Sequence, residues 1–141
     1  MTQGRREWSM GSHTLSFEPP DVFWARFRGP LTVADATYAV NVYREMSEVR
    51  PFVFVAEVKE MSRLEPEAAR YLTDHLPSEW TLGSIYIGAR LLHRALAKGF
   101  ALASLVSFHP DERALEKVHF AATPEQAREL ILRLRARHRG A

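Results

Sequence analysis

The chain has 141 residues, 46% of them hydrophobic, and a formal net charge of +2 at pH 7. These values favour one domain, residues 1–141, with an apolar core large enough to need no disulfide or metal. Because the sequence holds no cysteine, disulfides, thiolate catalysis and cysteine-ligated zinc are excluded, and a reducing, cytoplasmic location is expected. The nearly neutral charge gives no indication of a nucleic-acid partner, and neither a secretory signal nor a membrane-spanning stretch is predicted.

The chain opens with a predicted hairpin. Residues 13–18 and 22–28 alternate apolar and polar side chains, which is typical of half-buried strands. The Pro-Pro-Asp sequence between them predicts a turn, since proline fixes its own φ and lacks a backbone N–H donor. A short additional strand is expected at residues 8–10, closed by Gly11 and Ser12.

The middle of the chain predicts a helix, a buried strand and a second helix. Thr32 is the expected N-cap of the first helix, which has apolar residues at helical spacing and ends near Glu48. The apolar run at residues 52–58 predicts a central strand that is covered on both faces. A polar crossing then leads to the second helix, in which Pro66 takes the first helical position and Glu65 the N-cap.

The C-terminal half continues the alternation of strands and helices. A short buried strand is expected at residues 84–88, a long helix at residues 89–106 and a last strand at residues 117–122. Thr123 then caps the final helix, with Gln126 at capping-box spacing. This order predicts an α/β fold with a mixed, mostly parallel sheet, an N-terminal hairpin and about four helices packed on it.

The order of elements resembles that of the STAS/SpoIIAA-like family, the small α/β domains typified by anti-sigma-factor antagonists. The resemblance lies in the opening GSHTLSFEPPDVFWARFRG, in PFVFVAEV leading to LEPEAARYL, and in the closing TPEQARELI. It implies the fold of that family and a non-catalytic role in bacterial regulation, through binding of a regulatory protein. In signalling members, a serine or threonine at the start of the second helix is phosphorylated, which switches partner binding. A helix N-terminus offers free N–H groups to such a phosphate.

The expected surface for the partner is the polar crossing and the start of the second helix. Its candidate residues are Glu57, Lys59, Ser62, Glu65 and Glu67. Glu57 stands where the signalling members commonly carry aspartate, and Glu65 stands where they carry the phosphorylated hydroxyl. Two interpretations of Glu65 are open: a carboxylate that stabilises the helix start by about 0.3–1 kcal/mol, or a permanent mimic of the phosphorylated state. Ser62, three residues earlier, is the alternative acceptor of a phosphate.

The sequence predicts neither catalysis nor a cofactor. Its six histidines include no pair spaced two to five residues apart, so no local zinc motif is present. A nucleophile elbow, a Walker loop and a dinucleotide-binding glycine motif are all lacking. His119, in the last predicted strand, is interpreted as a partly buried structural residue. We therefore expect no enzyme activity and no bound metal.

The predicted third helix is long and unusually apolar. Arg90, Arg94 and Lys98 form a basic stripe on it, while apolar residues such as Leu96 and Phe100 cover much of the remaining circumference. The favoured role is an interface, with a second copy in a homodimer or with another partner. Two other roles are open, contact with an anionic membrane surface and shelter for a small apolar ligand or lipid. They define the alternative function, a lipid- or small-ligand-binding domain at the membrane surface.

Overall fold

The structure is a computed structural model that describes residues 6–88 and 118–140. These residues form a six-stranded sheet whose strands lie side by side in chain order, together with three α-helices and a short 3₁₀ turn at Ser78–Trp80. The strands are β1 (Arg6–Met10), β2 (His13–Glu18), β3 (Val22–Leu31), β4 (Phe52–Leu64), β5 (Thr81–Ile87) and β6 (Val118–Ala121), and the helices are α1 (Val33–Ser47), α2 (Pro66–His75) and α3 (Pro124–Gly140).

β3 is the strand at which the sheet changes direction. β1, β2 and β3 are antiparallel neighbours, whereas β3, β4, β5 and β6 run parallel to one another. The predicted mixed, mostly parallel sheet with an N-terminal hairpin is therefore confirmed, and the extra strand expected at residues 8–10 is part of β1. Three of the predicted helices are α1, α2 and α3. The helix predicted at residues 89–106 lies outside the described residues.

The first helix begins where the sequence predicted. Thr32 is its N-cap, and Thr32 Oγ1 accepts a hydrogen bond from the Asp35 N–H at 3.2 Å. The Asp35 carboxylate in turn accepts from the Thr32 N–H at 3.1 Å, so the two residues satisfy each other's backbone donors. Glu48 is the C-cap, at the predicted end. At the start of α3, the Gln126 N–H likewise donates to Thr123 Oγ1, at 3.2 Å.

Each face of the sheet has its own apolar core. On the α1–α2 face, the buried residues are Met10, Leu15, Phe17, Phe23, Ala25, Phe27, Leu31, Ala39, Val42, Tyr43, Met46, Phe52, Ala56 and Val58. On the opposite face, the α3 face, they are Val22, Val53, Val55, Ile85, Ile87, Ala121, Ala127, Ile131 and Leu134. β4 contributes to both cores, as expected for a strand covered on both faces.

α3 approaches the sheet closely at Gly83 of β5. An ideal Cβ built on Gly83 would lie 2.8 Å from Leu134 Cδ1, well inside van der Waals contact. Glycine is therefore the residue that lets the helix pack at its observed distance from β5.

Two arginines of the basic C-terminal helix anchor it to the turn between β2 and β3. Arg128 makes a bidentate pair with Glu18, at 3.0 and 3.1 Å, and its guanidinium lies 4.9 Å from the centroid of the Trp24 ring. Arg135 Nε donates to both carboxylate oxygens of Asp21, at 2.9 and 3.1 Å. These pairs orient α3 on the sheet, so the two cations have a structural role within the chain.

The prediction of a polar crossing after residue 58 is wrong, because these residues belong to β4. The strand continues to Leu64, because its polar residues pair with the equally extended end of β3. Two register shifts in this pairing place extra residues in β4. Polar side chains are compatible with this part of the strand because the pairing with β5 has already ended, which leaves them open to solvent. Ser62 is therefore a strand residue, and Glu65 alone separates β4 from α2.

Candidate partner-binding surface

The candidate surface combines the end of β3, the end of β4 and the start of α2. Pairing of β4 with β5 ends at Glu57, whereas pairing of β4 with β3 continues to Leu64. Residues 26–31 of β3 and 57–64 of β4, the β3–β4 extension, therefore project beyond the neighbouring parallel strand.

Gly88, directly after β5, lies beside the base of the extension. Gly88 has a φ of +70°, a conformation that favours glycine, and its N–H donates to the Ala121 carbonyl oxygen at 3.1 Å. An ideal Cβ on Gly88 would lie 3.0 Å from the Cβ of Lys59. Both the conformation and the available space therefore disfavour a larger residue, and Gly88 marks the border between the regular sheet and the extension.

Two ion pairs cross from β3 to β4 within the extension. Arg26 Nε donates to Glu57 Oε2 at 3.1 Å, and Arg28 Nε lies 2.9 Å from Glu60 Oε2. All four side chains are substantially exposed to solvent, so each pair contributes at most about 1 kcal/mol to stability. Glu57, a residue of the predicted partner surface, is thus matched by an arginine of the neighbouring strand.

Lys59, Ser62 and Arg63 are the exposed and unpaired residues of the extension. Within residues 6–88 and 118–140, their side chains make no hydrogen bond or ion pair. Because Glu57 and Glu60 are balanced by arginines, Lys59 and Arg63 give the extension a net positive charge. Sequence reasoning missed Arg63, and the signal that could have found it is its position directly after Ser62 in a polar run.

The start of α2 places negative charge next to this basic strand end. Glu65 is the N-cap, as predicted, but its side chain makes no capping hydrogen bond. Its backbone N–H donates to the Leu31 carbonyl oxygen at 3.1 Å, which fastens the helix start to β3. Pro66 takes the first helical position, and Glu67 is exposed in the first turn, where the helix dipole favours a carboxylate. The five candidate residues thus follow one another along the strand end and the helix start.

A buried histidine that the sequence analysis did not single out holds the end of β3. His13 of β2 is 1% exposed, and its Nδ1 accepts a hydrogen bond from the Arg28 N–H at 3.0 Å. The proton therefore lies on Nε2, which donates to the Pro30 carbonyl oxygen at 2.9 Å and is 3.3 Å from Asp35 Oδ2. The signal that could have found it is the strand alternation, which puts residue 13 on the buried face of β2.

His119 of β6 is partly buried, as its position in the last strand predicted. Its Nε2 has no hydrogen-bond partner among the residues that the structure describes. Burial, and secondarily the nearby charge of Arg137, lower the pKa of His119. Burial also raises the pKa of Tyr86 to about 12.

A pH-dependent contribution to stability is expected from His119. Because its pKa is lower in the folded than in the unfolded chain, protonation favours the unfolded state as the pH falls through about 6.5. His119→Gln removes this group, so the variant should lose less stability than wild type between about pH 7.5 and about pH 5. Urea unfolding at the two pH values measures the difference, and equal losses would contradict a lowered pKa.

The remaining candidate residues lie elsewhere in the chain. Arg90, Arg94, Leu96, Lys98 and Phe100 lie outside the described residues, so their expected roles as an interface or a lipid-facing helix stay predictions. Within residues 6–88 and 118–140, no group of three or more metal-binding side chains occurs. No helix in those same ranges combines the length and the apolar composition that crossing a membrane requires.

Comparison with known proteins relates the chain to others by fold. No protein-family model and no curated protein matches the sequence. The structure of the anti-sigma factor antagonist SpoIIAA in its unphosphorylated form matches with a TM-score of 0.57 and 11% identity, over 85% of this chain and 97% of that one. An uncharacterised DUF3478-family protein with a SpoIIAA-like fold, from Shewanella loihica PV-4, matches with a TM-score of 0.59 and 14% identity, over 93% and 98%. The chain therefore has the SpoIIAA-like fold that its order of elements indicated.

Proposed function

We propose that this protein is a non-catalytic binding module of bacterial regulation, which binds a regulatory protein through the β3–β4 extension and the start of α2. The observation that carries the proposal is the extension itself, which projects past β5 with Lys59 and Arg63 exposed and unpaired among the described residues. The fold shared with an anti-sigma factor antagonist supports a role of the same class. The proposed location is the cytoplasm, in keeping with a sequence that has no cysteine.

The distribution of charge makes this surface selective. In the extension, Lys59 and Arg63 are the charges left to attract a partner, whereas the α2 start carries the carboxylates of Glu65 and Glu67. A regulatory protein with an acidic patch facing the extension and a basic patch facing the α2 start is complementary to it. Charges of this kind set the association rate and the choice of partner more than they set the overall affinity.

Ser62 is the residue through which the charge of this surface can change, and we propose it as a phosphorylation site. Its side chain is exposed in β4, one position from Arg63 and three from Lys59. A phosphate adds a charge of about −1.5 to −2, which would neutralise the basic extension and oppose an acidic patch on the partner. Glu65 supplies a fixed negative charge at the α2 start in either state of Ser62.

Affinity capture from a lysate of the source organism tests the proposal. The wild-type chain is expected to retain one regulatory protein in near-stoichiometric amount, which is then purified and titrated against variants. Lys59→Glu combined with Arg63→Glu reverses the charge of the extension and is expected to weaken binding at least about tenfold. Ser62→Glu should weaken binding in the same direction, whereas Ser62→Ala should bind as wild type.

Arg133→Glu is the control for a charge reversal outside the extension. Arg133 is exposed on α3 and makes no ion pair within the described residues, so its replacement changes the net charge without touching the extension. We expect this variant to bind the partner as wild type does. Failure to retain any protein stoichiometrically, or equal binding by all variants, would show that the proposed surface is wrong.

A further inference from the structure

The end of β3 is held to β2 by side chains instead of a backbone ladder. The antiparallel pairing of β2 with β3 stops at Arg26. Beyond this point, Ser12 Oγ donates to the Arg28 carbonyl oxygen, and the ring of His13 binds the Arg28 N–H and the Pro30 carbonyl oxygen. His13 thus takes over two backbone groups of the strand end, on the side that faces β2.

The pairing of the same strand end with β4 is irregular. The register of β3 on β4 shifts between Arg26 and Arg28, and it shifts again between Gly29 and Pro30. Gly29 also has a φ of +77°, which departs from the extended conformation of a regular strand. Because β4 holds this end of β3 less regularly than its start, the hydrogen bonds of His13 contribute more to its order.

Both hydrogen bonds of His13 to β3 require a neutral ring. Nδ1 accepts from the Arg28 N–H at 3.0 Å, so it carries no proton, whereas Nε2 donates to the Pro30 carbonyl oxygen. A protonated imidazole donates from both of its nitrogens. A proton on Nδ1 would therefore set two donors against each other, and the Arg28 N–H would lose its acceptor while the bond to Pro30 is kept.

Asp35 of α1 provides a counter-charge for the protonated ring. Its Oδ2 lies 3.3 Å from Nε2 of His13, and the Asp35 side chain is 21% exposed, which connects the buried ring to solvent. β1 faces the ring with Met10 and β3 with the edge of the Phe27 ring, neither of which titrates. The guanidinium of Arg28 pairs with a carboxylate of β4. The charge that His13 meets among the described residues is thus negative, and it attracts an imidazolium.

We infer that His13 is a pH-sensitive contact, whose protonation releases the Arg28 N–H and with it the end of β3. Histidine is the side chain whose charge ordinarily changes between about pH 5 and pH 8. Arg28 also pairs with Glu60, so its release loosens the β3–β4 extension, and acid should weaken binding of the partner. That consequence rests on the proposed function, whereas the release itself is a property of the free chain.

Hydrogen exchange of the free chain at about pH 7.5 and about pH 5 tests the release. The quantity compared is the protection factor, the ratio of the intrinsic to the measured exchange rate, which removes the ordinary pH dependence of amide exchange. In the wild-type chain, the protection factor of the Arg28 amide should fall at least about fivefold at the lower pH, as expected for one lost hydrogen bond. The test needs no partner, so its result is independent of whether a partner is captured.

Two variants and one spectrum identify His13 as the cause. His13→Asn keeps an acceptor near the position of Nδ1 but does not titrate, so its Arg28 protection factor should be equal at both pH values. His119→Gln keeps His13 and should show the full wild-type fall. Nitrogen-15 spectra of the His13 ring in the folded chain should show one protonated nitrogen at the higher pH and two at the lower. Unchanged Arg28 protection in wild type, an equal fall in His13→Asn, or a ring that stays neutral at the lower pH would overturn the inference.

Discussion

Replacing Phe23 with alanine is expected to lower the free energy of unfolding by about 3–5 kcal/mol. Phe23 lies in β3 and is 0% exposed, in the core of the α1–α2 face. Its ring centroid is 5.5 Å from that of Trp8, 4.8 Å from that of Tyr43 and 5.4 Å from that of Phe52. The truncation therefore opens a cavity where β1, α1 and β4 meet, and it removes aromatic contacts in addition to buried area.

Chemical denaturation followed by circular dichroism measures this loss. Phe23→Leu keeps most of the buried volume and is expected to cost clearly less than Phe23→Ala. Tyr38→Ala is the matched control on α1, where Tyr38 is 40% exposed, and a change within about 0.5 kcal/mol is expected. If Phe23→Ala cost no more than Tyr38→Ala, the ring would not be central to the core.

The buried side of a single helix or strand was predictable from the sequence. Val40, Tyr43 and Met46 recur at helical spacing, and all three are buried in α1. Leu15 and Phe17 alternate with polar residues, and both are buried on one face of β2. These predictions succeed because burying one side of an element imposes a fixed period on consecutive residues, 3.6 in a helix and 2 in a strand.

Features that depend on contacts between distant residues were not predictable. Glu57 binds Arg26, 31 positions earlier in the chain, and no local pattern relates the two. Residues 59–64 were predicted as a crossing because they are polar, yet polarity indicates exposure of a side chain and not whether its backbone pairs with a neighbouring strand. The extended end of β3 supplies that pairing, which became visible only once the register of the sheet was known.

The candidate surface was likewise predictable only in part, because its ion pairs join residues that are distant in the sequence. The order of elements was enough to predict that Lys59, Ser62, Glu65 and Glu67 follow one another from the central strand to the start of the second helix. It was not enough to show that the acidic residues of β4 are balanced by β3, which is the reason that the extension is basic. The solved structures of the same fold share only 11% and 14% identity with the chain, so the fold is compatible with largely different sequences and does not by itself assign the surface residues a role.

Replacing His13 with leucine is expected to destabilise the protein by about 2–4 kcal/mol. The loss arises because leucine leaves the Arg28 N–H and the Pro30 carbonyl oxygen without the partner that His13 provides to both. Urea unfolding measures the total effect. Two further variants divide it, since His13→Asn keeps an acceptor near the position of Nδ1 and His13→Gln keeps a donor near that of Nε2. Each should recover part of the stability that the leucine variant loses.

Hydrogen exchange at the Arg28 amide identifies the cause of that loss. Exchange should accelerate in His13→Leu and His13→Gln, which place no acceptor at the position of Nδ1, and stay slow in His13→Asn. Arg28 also pairs with Glu60, so a looser end of β3 should disturb the β3–β4 extension. Among the three variants, those in which the Arg28 amide exchanges faster should also bind the partner more weakly. Lost stability with unchanged Arg28 exchange would show that His13 acts through packing alone, and the extension would then owe its shape to its strand pairing.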